Sequence, residues 1–162
     1  METKAPVNFT VEVKRAQIRA ALIFSAVKDI RYYLNGVCLH IGECGDARLV
    51  STDGHRMAII KLCDQSDATP GEYILPNDAL KSIKKSGKFD IALRLTIESQ
   101  NFRLIDPVDN SILCGAALID GKFPDYQRVM NLPDADSISP GAFNAAYLAD
   151  IQKALKELGS KE

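Results

Sequence analysis

Alternation of apolar and polar residues runs through much of the chain and predicts an architecture built mainly of strands. Clear examples read VNFTVEV, VCLHIG and IALRLTIE, and polar turns separate most of these stretches. Side chains of a strand point alternately to its two faces, so this period is typical of strands with one buried face. We predict strands over residues 7–13, 37–42, 47–51, 56–62, 72–75, 91–98, 102–106 and 111–119.

Three stretches instead have the spacing of an amphipathic helix, with apolar residues three or four positions apart. The first is predicted from about Val13 to Lys28, with an apolar stripe formed by Val13, Ala16, Ala20, Ile23, Phe24 and Val27. The second begins at Asn77 or Asp78, both of which are good helix caps. Together with the strands, these helices give the order strand, helix, four strands, helix, three strands.

The third predicted helix is capped by Asn144 and closed by Gly159. Its apolar stripe consists of Leu148, Ile151, Leu155 and Leu158. An uncovered stripe of that size is unusual on a monomer. We therefore expect the helix to fold back on the preceding domain or to form a homo-oligomer by packing against a second copy.

The element order predicts an α+β fold in which a strand-helix-strand-strand pattern occurs twice, with an antiparallel sheet and two helices on one face. We assign residues 1–122 to this domain and residues 123–131 to a connector. Residues 132–162 then form a partial second unit made of a strand and a helix. The 162 residues, 46% of them apolar, suffice for one ordinary domain core.

The charge balance excludes a bulk polycation. Lys and Arg number 20 against 21 Asp and Glu, which gives a formal net charge of −1. Any contact with nucleic acid must therefore come from local clusters of basic residues.

Three such clusters are present. The first helix carries Lys14, Arg15 and Arg19 away from its apolar stripe, where a solvated face is the commoner interpretation. The second helix carries four lysines at i, i+3, i+4 and i+7, with no acidic residue predicted to pair with them: Lys81, Lys84, Lys85 and Lys88. Like charges at these spacings repel one another, which favours a polyanionic partner.

The third cluster is the segment KDIRYYLNG, residues 28–36. Its two adjacent tyrosines lie beside two cations, and aromatic rings can pack on sugars or bases while cations contact phosphates. The cluster comprises Lys28, Arg31, Tyr32 and Tyr33. The alternative is a loop whose tyrosines cover the core.

Metal chemistry and membrane insertion find little support in the sequence. The four cysteines form no CxxC pair and there are two histidines, so we expect no zinc site and no cofactor. Each cysteine is interpreted as a small buried apolar residue, and His40 as an outward strand residue. With no signal peptide and no apolar run long enough for a bilayer, we expect a cytosolic protein without a membrane partner.

The octet STDGHRMA, residues 51–58, is a polar turn between two apolar strands with Asp-Gly at its centre, which is typical of a hairpin. One hypothesis is an enzyme that uses Thr52, Asp53, His55 and Arg56. No second acid, nucleophile or metal set accompanies His55, so we expect no catalytic residues.

Three collinear segments, residues 28–36, 51–58 and 121–130 (GKFPDYQRVM), resemble the bacterial sliding clamp family, the DNA polymerase III beta subunit. The resemblance covers residues 8–131 well and residues 132–160 loosely, and it matches the middle domain and the joint into the third domain. It implies the DNA-clamp, or processivity, fold. In that fold, helices line a ring around duplex DNA and contact its phosphates without sequence specificity, and the protein performs no catalysis.

The resemblance also implies two sets of site residues. The DNA-facing set consists of Lys14, Arg15, Arg19, Lys28, Arg31, Tyr32, Tyr33, Lys81, Lys84, Lys85 and Lys88. A hydrophobic cleft for peptides of DNA polymerases and repair proteins consists of Leu34, Thr52, Gly54, His55, Arg56, Met57, Pro124, Arg128 and Val129. Since the chain holds one such domain and a fragment of another, it is expected to be a piece of a longer protein or a naturally short clamp-like protein. The alternative function is an adaptor or competitor that binds such peptides without encircling DNA.

Overall fold

The computed structural model describes residues 7–64, 67–85, 87, 89–130 and 143–159. Its strands are β1 (Asn8–Lys14), β2 (Gly36–Ile41), β3 (Ala47–Thr52), β4 (Met57–Lys61), β5 (Gly71–Pro76), β6 (Ala92–Glu98), β7 (Asn101–Ile105) and β8 (Ile112–Ala117). Its α-helices are α1 (Arg15–Phe24), α2 (Asn77–Leu80) and α3 (Ala145–Glu157), and short 3₁₀ helices span Tyr32–Leu34 and Tyr126–Met130. All eight predicted strands are confirmed, with ends shifted by at most two residues.

The strands form two four-stranded antiparallel sheets, in the orders β4-β3-β2-β5 and β1-β6-β7-β8. Residues 8–117 thus form two halves with the same element order, and each half contributes its first strand to the other half's sheet. β1 pairs with β6, where Phe9 lies opposite Ile97, and β5 pairs with β2, where Val37 lies opposite Leu75. The α+β antiparallel class is confirmed, and strand exchange divides the predicted sheet into two.

The main core is formed by the inward faces of both sheets together with the first two helices. β2 contributes Leu39 and β6 contributes Leu95, both fully buried. Ile18 of α1 and Leu80 of α2 join the same cluster. Full burial of an aliphatic side chain of this size stabilises a fold by about 1.5–3 kcal/mol, so the inward alternation accounts for much of the driving force.

A second apolar cluster covers the opposite face of β2 and β3. Phe123 and Tyr126 of the connector pack there against Cys38, Val50 and Ile74. Cys38 is buried as expected, and this burial raises the pKa of its thiol. The expectation that every cysteine is buried is wrong for Cys44 and Cys63, which are exposed, and Cys114 is half-buried.

Helix α1 is shorter than predicted, because it begins at Arg15 and ends at Phe24. Val13 belongs to β1, and Val27 is 69% exposed instead of forming part of an apolar stripe. The helix ends where both the amide and the hydroxyl of Ser25 donate hydrogen bonds to the carbonyl of Leu22, at 3.3 and 2.8 Å. The chain then turns away from the helix axis.

Helix α2 ends after one turn, so the predicted helical face of four lysines is wrong. The carbonyl of Ile83 accepts a hydrogen bond from Nη1 of Arg19 at 3.1 Å, and Ile83 is 3% exposed. These tertiary contacts direct the backbone out of the helix. Lys81 also pairs with Asp78 at 2.8 Å, contrary to the expectation that no acid would pair with these lysines.

Helix α3 confirms both predicted ends. The side chain of Asn144 accepts a hydrogen bond from the amide of Ala146 at 2.9 Å, and Gly159 has a φ of +82° just beyond the helix. The helix folds back on α1, where Ala154 joins a cluster with Ala20 and Phe24.

The predicted apolar stripe of α3 is only partly covered, since its four residues remain 43–56% exposed: Leu148, Ile151, Leu155 and Leu158. The strand predicted within residues 132–142 lies outside the described residues, so the partial second unit stays a prediction.

Candidate functional site

The octet forms the hairpin turn between β3 and β4, and its own side chains stabilise it. Asp53 Oδ1 accepts hydrogen bonds from the backbone amides of His55 and Arg56 at 2.9 and 3.1 Å. Thr52 Oγ1 accepts one from the amide of Gly54 at 3.0 Å and donates one to the carbonyl of Arg56 at 2.7 Å. Burial opposes ionisation of Asp53, but these donors together hold the pKa of its carboxyl below the usual value. Thr52 and Asp53 therefore act as structural groups within the turn.

A groove of about 420 Å³ opens between this turn and the connector. It is lined by Arg31, Tyr33, Leu34, Thr52, Gly54, His55, Arg56, Met57, Pro124, Tyr126 and Val129. Apart from Arg128, every residue predicted for the peptide cleft lines this groove. Arg128 is exposed on the 3₁₀ helix of the connector, next to Val129.

Three groove residues were not predicted for the cleft. Arg31 and Tyr33 were assigned to DNA contact, yet they line the groove. Tyr126 was not singled out at all, although it lies in the connector segment that carries the resemblance. Its hydroxyl lies 2.5 Å from Nδ1 of His40 on β2, so it fixes the connector to the sheet. Nothing local in the sequence indicates this contact, because 86 positions separate the two residues.

The guanidinium of Arg56 is held by three partners. Nε donates to Asp53 Oδ2 at 3.1 Å, Nη2 donates to the carbonyl of Ile23 at 3.2 Å, and Nη1 pairs with Asp150 of α3. Burial by itself would lower the pKa of Arg56. The carboxylates of Asp150 and Asp53 outweigh this effect, so the pKa of Arg56 lies above its usual value. Arg56 thus joins the turn, α1 and α3.

Aromatic rings complete this junction. The guanidinium carbon of Arg56 lies 5.4 Å from the ring centroid of Phe24 and 5.0 Å from that of Tyr147, both suitable for cation–π attraction. The ring of Tyr147 also stacks on His55, with centroids 6.4 Å apart and an interplanar angle of 20°. Helix α3 consequently contacts two residues of the groove rim, His55 and Arg56.

Several residues of the predicted DNA-facing set are already ion-paired. The pairs are Arg15–Asp106 at 2.7 Å, Arg19–Glu157 at 3.0 Å, Arg31–Asp29 at 2.8 Å and Lys81–Asp78 at 2.8 Å. Lys14, Lys28, Lys84 and Lys85 are exposed and form no ion pair with another residue that the structure describes. Tyr32 is 57% exposed and packs edge-on against Tyr33, and Lys88 lies outside the described residues.

The structure brings parts of this basic set together. Lys28 and Lys81 line one hollow, and Arg19 contacts the segment that carries Lys84 and Lys85 through the carbonyl of Ile83. The set stays a prediction, with fewer unpaired cations than the sequence indicated.

Within the described part of the chain, no group of three His, Cys, Asp or Glu side chains is arranged to hold a metal ion. None of the helices described there is long and apolar enough to cross a membrane.

Comparisons with known proteins agree in sequence and in fold. The family described as "DNA polymerase III beta subunit, central domain" matches residues 9–125. The beta sliding clamp of Proteus mirabilis is 37% identical over 137 residues, which cover 79% of this chain and 36% of that protein. The clamp of Vibrio cholerae is 30% identical over 159 residues, covering 94% of this chain and 42% of that protein.

Solved structures show the same likeness. The DNA polymerase III subunit beta from Pseudomonas aeruginosa superposes with a TM-score of 0.66 at 26% identity, covering 83% of this chain and 37% of that one. A sliding clamp from Bartonella birtlesii bound to griselimycin gives a TM-score of 0.58 at 26% identity, covering 82% and 37%. The chain spans about two fifths of the length of these relatives.

The family match spans both sheets, the octet and the start of the connector, and the resemblance predicted from three short segments is confirmed. This chain therefore belongs to the family of DNA polymerase III beta subunits, the bacterial sliding clamps, and its two-sheet domain corresponds to the central domain of that family.

Proposed function

We propose that this chain is a non-catalytic module of DNA replication that docks peptide segments of DNA polymerases and repair proteins in the groove beside the octet turn. The observation that carries the proposal is convergence. The segments 31–34, 52–57 and 124–129 are far apart in sequence, yet each contributes side chains to the lining of one groove. Such convergence is what a binding site built on a rigid scaffold requires.

The lining of the groove suits an apolar anchor. Met57, Pro124 and Val129 provide apolar walls, and Leu34, 1% exposed, lies beneath them. A leucine or phenylalanine side chain of a partner would be desolvated there, which is the usual source of affinity in peptide grooves. His55 at the rim is exposed and can bond the peptide backbone. The clamp from Bartonella birtlesii, bound to griselimycin, shows that a relative takes a ligand.

Replacing Met57 with alanine is expected to weaken peptide binding by about tenfold, because it removes apolar wall from the groove. The measurement is fluorescence anisotropy of a labelled polymerase peptide with a Leu-Phe anchor. The matched control is Ile112→Ala, which removes an exposed apolar side chain of β8 that does not line the groove. Equal affinities of the two variants for the peptide would contradict this location of the site.

The second part of the proposal is non-specific contact with duplex DNA through the exposed lysines. The logarithm of the binding constant for duplex DNA falls linearly with the logarithm of the salt concentration. Removing one phosphate contact should make this slope shallower by about 0.9. We expect this reduction for Lys84→Gln and none for Lys122→Gln, a matched loss of charge just before the connector. Duplex affinity measured across a series of KCl concentrations tests both variants, and identical slopes would refute a phosphate contact at Lys84.

A second candidate function is an adaptor or competitor that binds such peptides without encircling DNA. The ion pairs of Arg15, Arg19, Arg31 and Lys81 favour it, because these cations are already neutralised and the formal net charge is −1. Retained peptide binding without salt-sensitive duplex binding would select this candidate.

Light scattering after size exclusion, with and without DNA, tests association of two copies through α3.

A further inference from the structure

We propose that helix α3 is a built-in competitor at the groove rim, and that Asp150 occupies the position of an acidic group of the partner peptide. The inference rests on the proposed function and adds to it the charge of the partner and a means of regulation. The shared group is Arg56, which lines the groove and also pairs with Asp150. A carboxylate that pairs with Nη1 of Arg56 from the groove must therefore displace Asp150.

The three partners of Arg56 differ in how easily they can be replaced. Asp53 lies in the same turn, and the carbonyl of Ile23 belongs to α1, so both are fixed parts of the domain. Asp150 belongs to α3, which reaches the domain after the connector. The Nη1 position of Arg56 is therefore the one that a ligand can take over by displacing helix α3 while the turn and α1 stay in place.

The side chain of Asp150 can take the place of an acidic group of the partner peptide. Its contact with Lys153, at 2.8 Å, and its pair with Arg56 hold the pKa of its carboxyl below the usual value, so it is ionised at neutral pH. When Arg56 is taken by a ligand, Lys153 remains as a partner for Asp150. Displacement thus leaves no unpaired carboxylate on α3.

The attachment of α3 is light enough to be displaced. Ala154 is its one buried residue, and its four large aliphatic side chains remain about half exposed. Its polar and aromatic contacts include Asp150 on Arg56, Tyr147 on His55 and Glu157 on Arg19, all on the surface of the domain. Elements held by few buried apolar contacts are those that open at low free energy.

Two variants separate competition at Arg56 from general loosening of α3. Asp150→Asn removes the competing charge, whereas Glu157→Gln weakens the helix through the Arg19 pair without touching the groove. Two peptides are compared that are identical except for one flanking residue, aspartate in one and asparagine in the other. Affinities come from isothermal titration, and circular dichroism checks that both variants keep the fold.

We expect Asp150→Asn to tighten binding of the acidic peptide by about fivefold and to leave the neutral peptide unchanged, as for a partly exposed charge pair. For Glu157→Gln, the ratio of the affinities for the acidic and the neutral peptide should be the same as in the unsubstituted protein. The proposal would be overturned if Asp150→Asn left the affinity for the acidic peptide unchanged or lower. It would also be overturned if the affinity rose equally for both peptides. Failure of every variant to bind either peptide would instead overturn the proposed function itself.

Hydrogen exchange provides a second readout, because coupling between two binding events is reciprocal. In the unsubstituted protein, the acidic peptide should speed exchange of the α3 amides, and the neutral peptide should leave it unchanged. Greater protection of α3 by the acidic peptide would show that the helix and the ligand cooperate, which is the opposite of the proposal.

Discussion

Replacement of Phe123 with alanine is expected to lower the free energy of unfolding by about 3–5 kcal/mol. Phe123 is 1% exposed and packs with Cys38, Val50 and Ile74 on the outer face of a sheet. Truncation of a buried aromatic ring loses its transfer free energy and leaves a cavity that the surroundings fill only in part. Urea titration followed by circular dichroism measures the change.

The same substitution tests how the groove is built. Phe123 precedes Pro124 and holds the connector against the sheet, so its loss should also weaken peptide binding. The matched variant is Val129→Ala, whose side chain is 69% exposed. We expect Val129→Ala to weaken binding while changing stability by less than about 0.5 kcal/mol. A loss below about 1 kcal/mol for Phe123→Ala would mean that the connector is not anchored at this residue.

Replacement of Arg56 with methionine is expected to lower the free energy of unfolding by about 2–3 kcal/mol. The substitution keeps an apolar stem but removes the hydrogen bonds to Asp53, Asp150 and the carbonyl of Ile23. Asp53 then loses its cation, Asp150 keeps only Lys153, and the ring of Tyr147 loses its cation–π partner. Urea titration gives the stability, and faster proteolysis around α3 should report its release.

The control for Arg56 is Arg103→Met, which removes an arginine from an ion pair with Glu98 at an exposed site on β7. Exposed pairs of this kind contribute about 0.2–1 kcal/mol, so a small change is expected. If the two variants lost similar amounts of unfolding free energy, the contacts of Arg56 would contribute no more than an exposed ion pair. Arg56 would then not hold the turn, α1 and α3 together.

The strands and the octet turn were predictable because their signals are local. Alternation fixes which face of a strand is buried, as for Leu93 and Leu95 of β6, and the Asp-Gly turn fixes the hairpin between β3 and β4. The cap of α3 at Asn144 was predictable for the same reason.

The groove was predictable only in part. Met57, Pro124 and six further residues came from the resemblance, and in the structure they line one groove, while their role in binding peptides stays a prediction. Tyr126 could not be identified, because its role depends on His40 of a distant strand. Arg31 and Tyr33 were predicted to face DNA. The sequence of their segment shows that it is basic and aromatic, but only the fold decides that these two side chains line the groove.

By itself, the sequence determined the strands, the hairpin turn, the caps of α3 and the family, since each depends on short stretches of the chain. The predicted side-chain cap of α2 is wrong, because Pro76 precedes the helix and Asn77 is its first residue. Tertiary structure alone decided that two sheets form by strand exchange, that α2 stops after one turn and that most arginines of the basic set are neutralised. The pair Arg19–Glu157 joins residues 138 positions apart, and Arg15–Asp106 joins residues 91 apart. Periodicity reports which side of an element is apolar, but the partner of a charge is set by which elements meet in space.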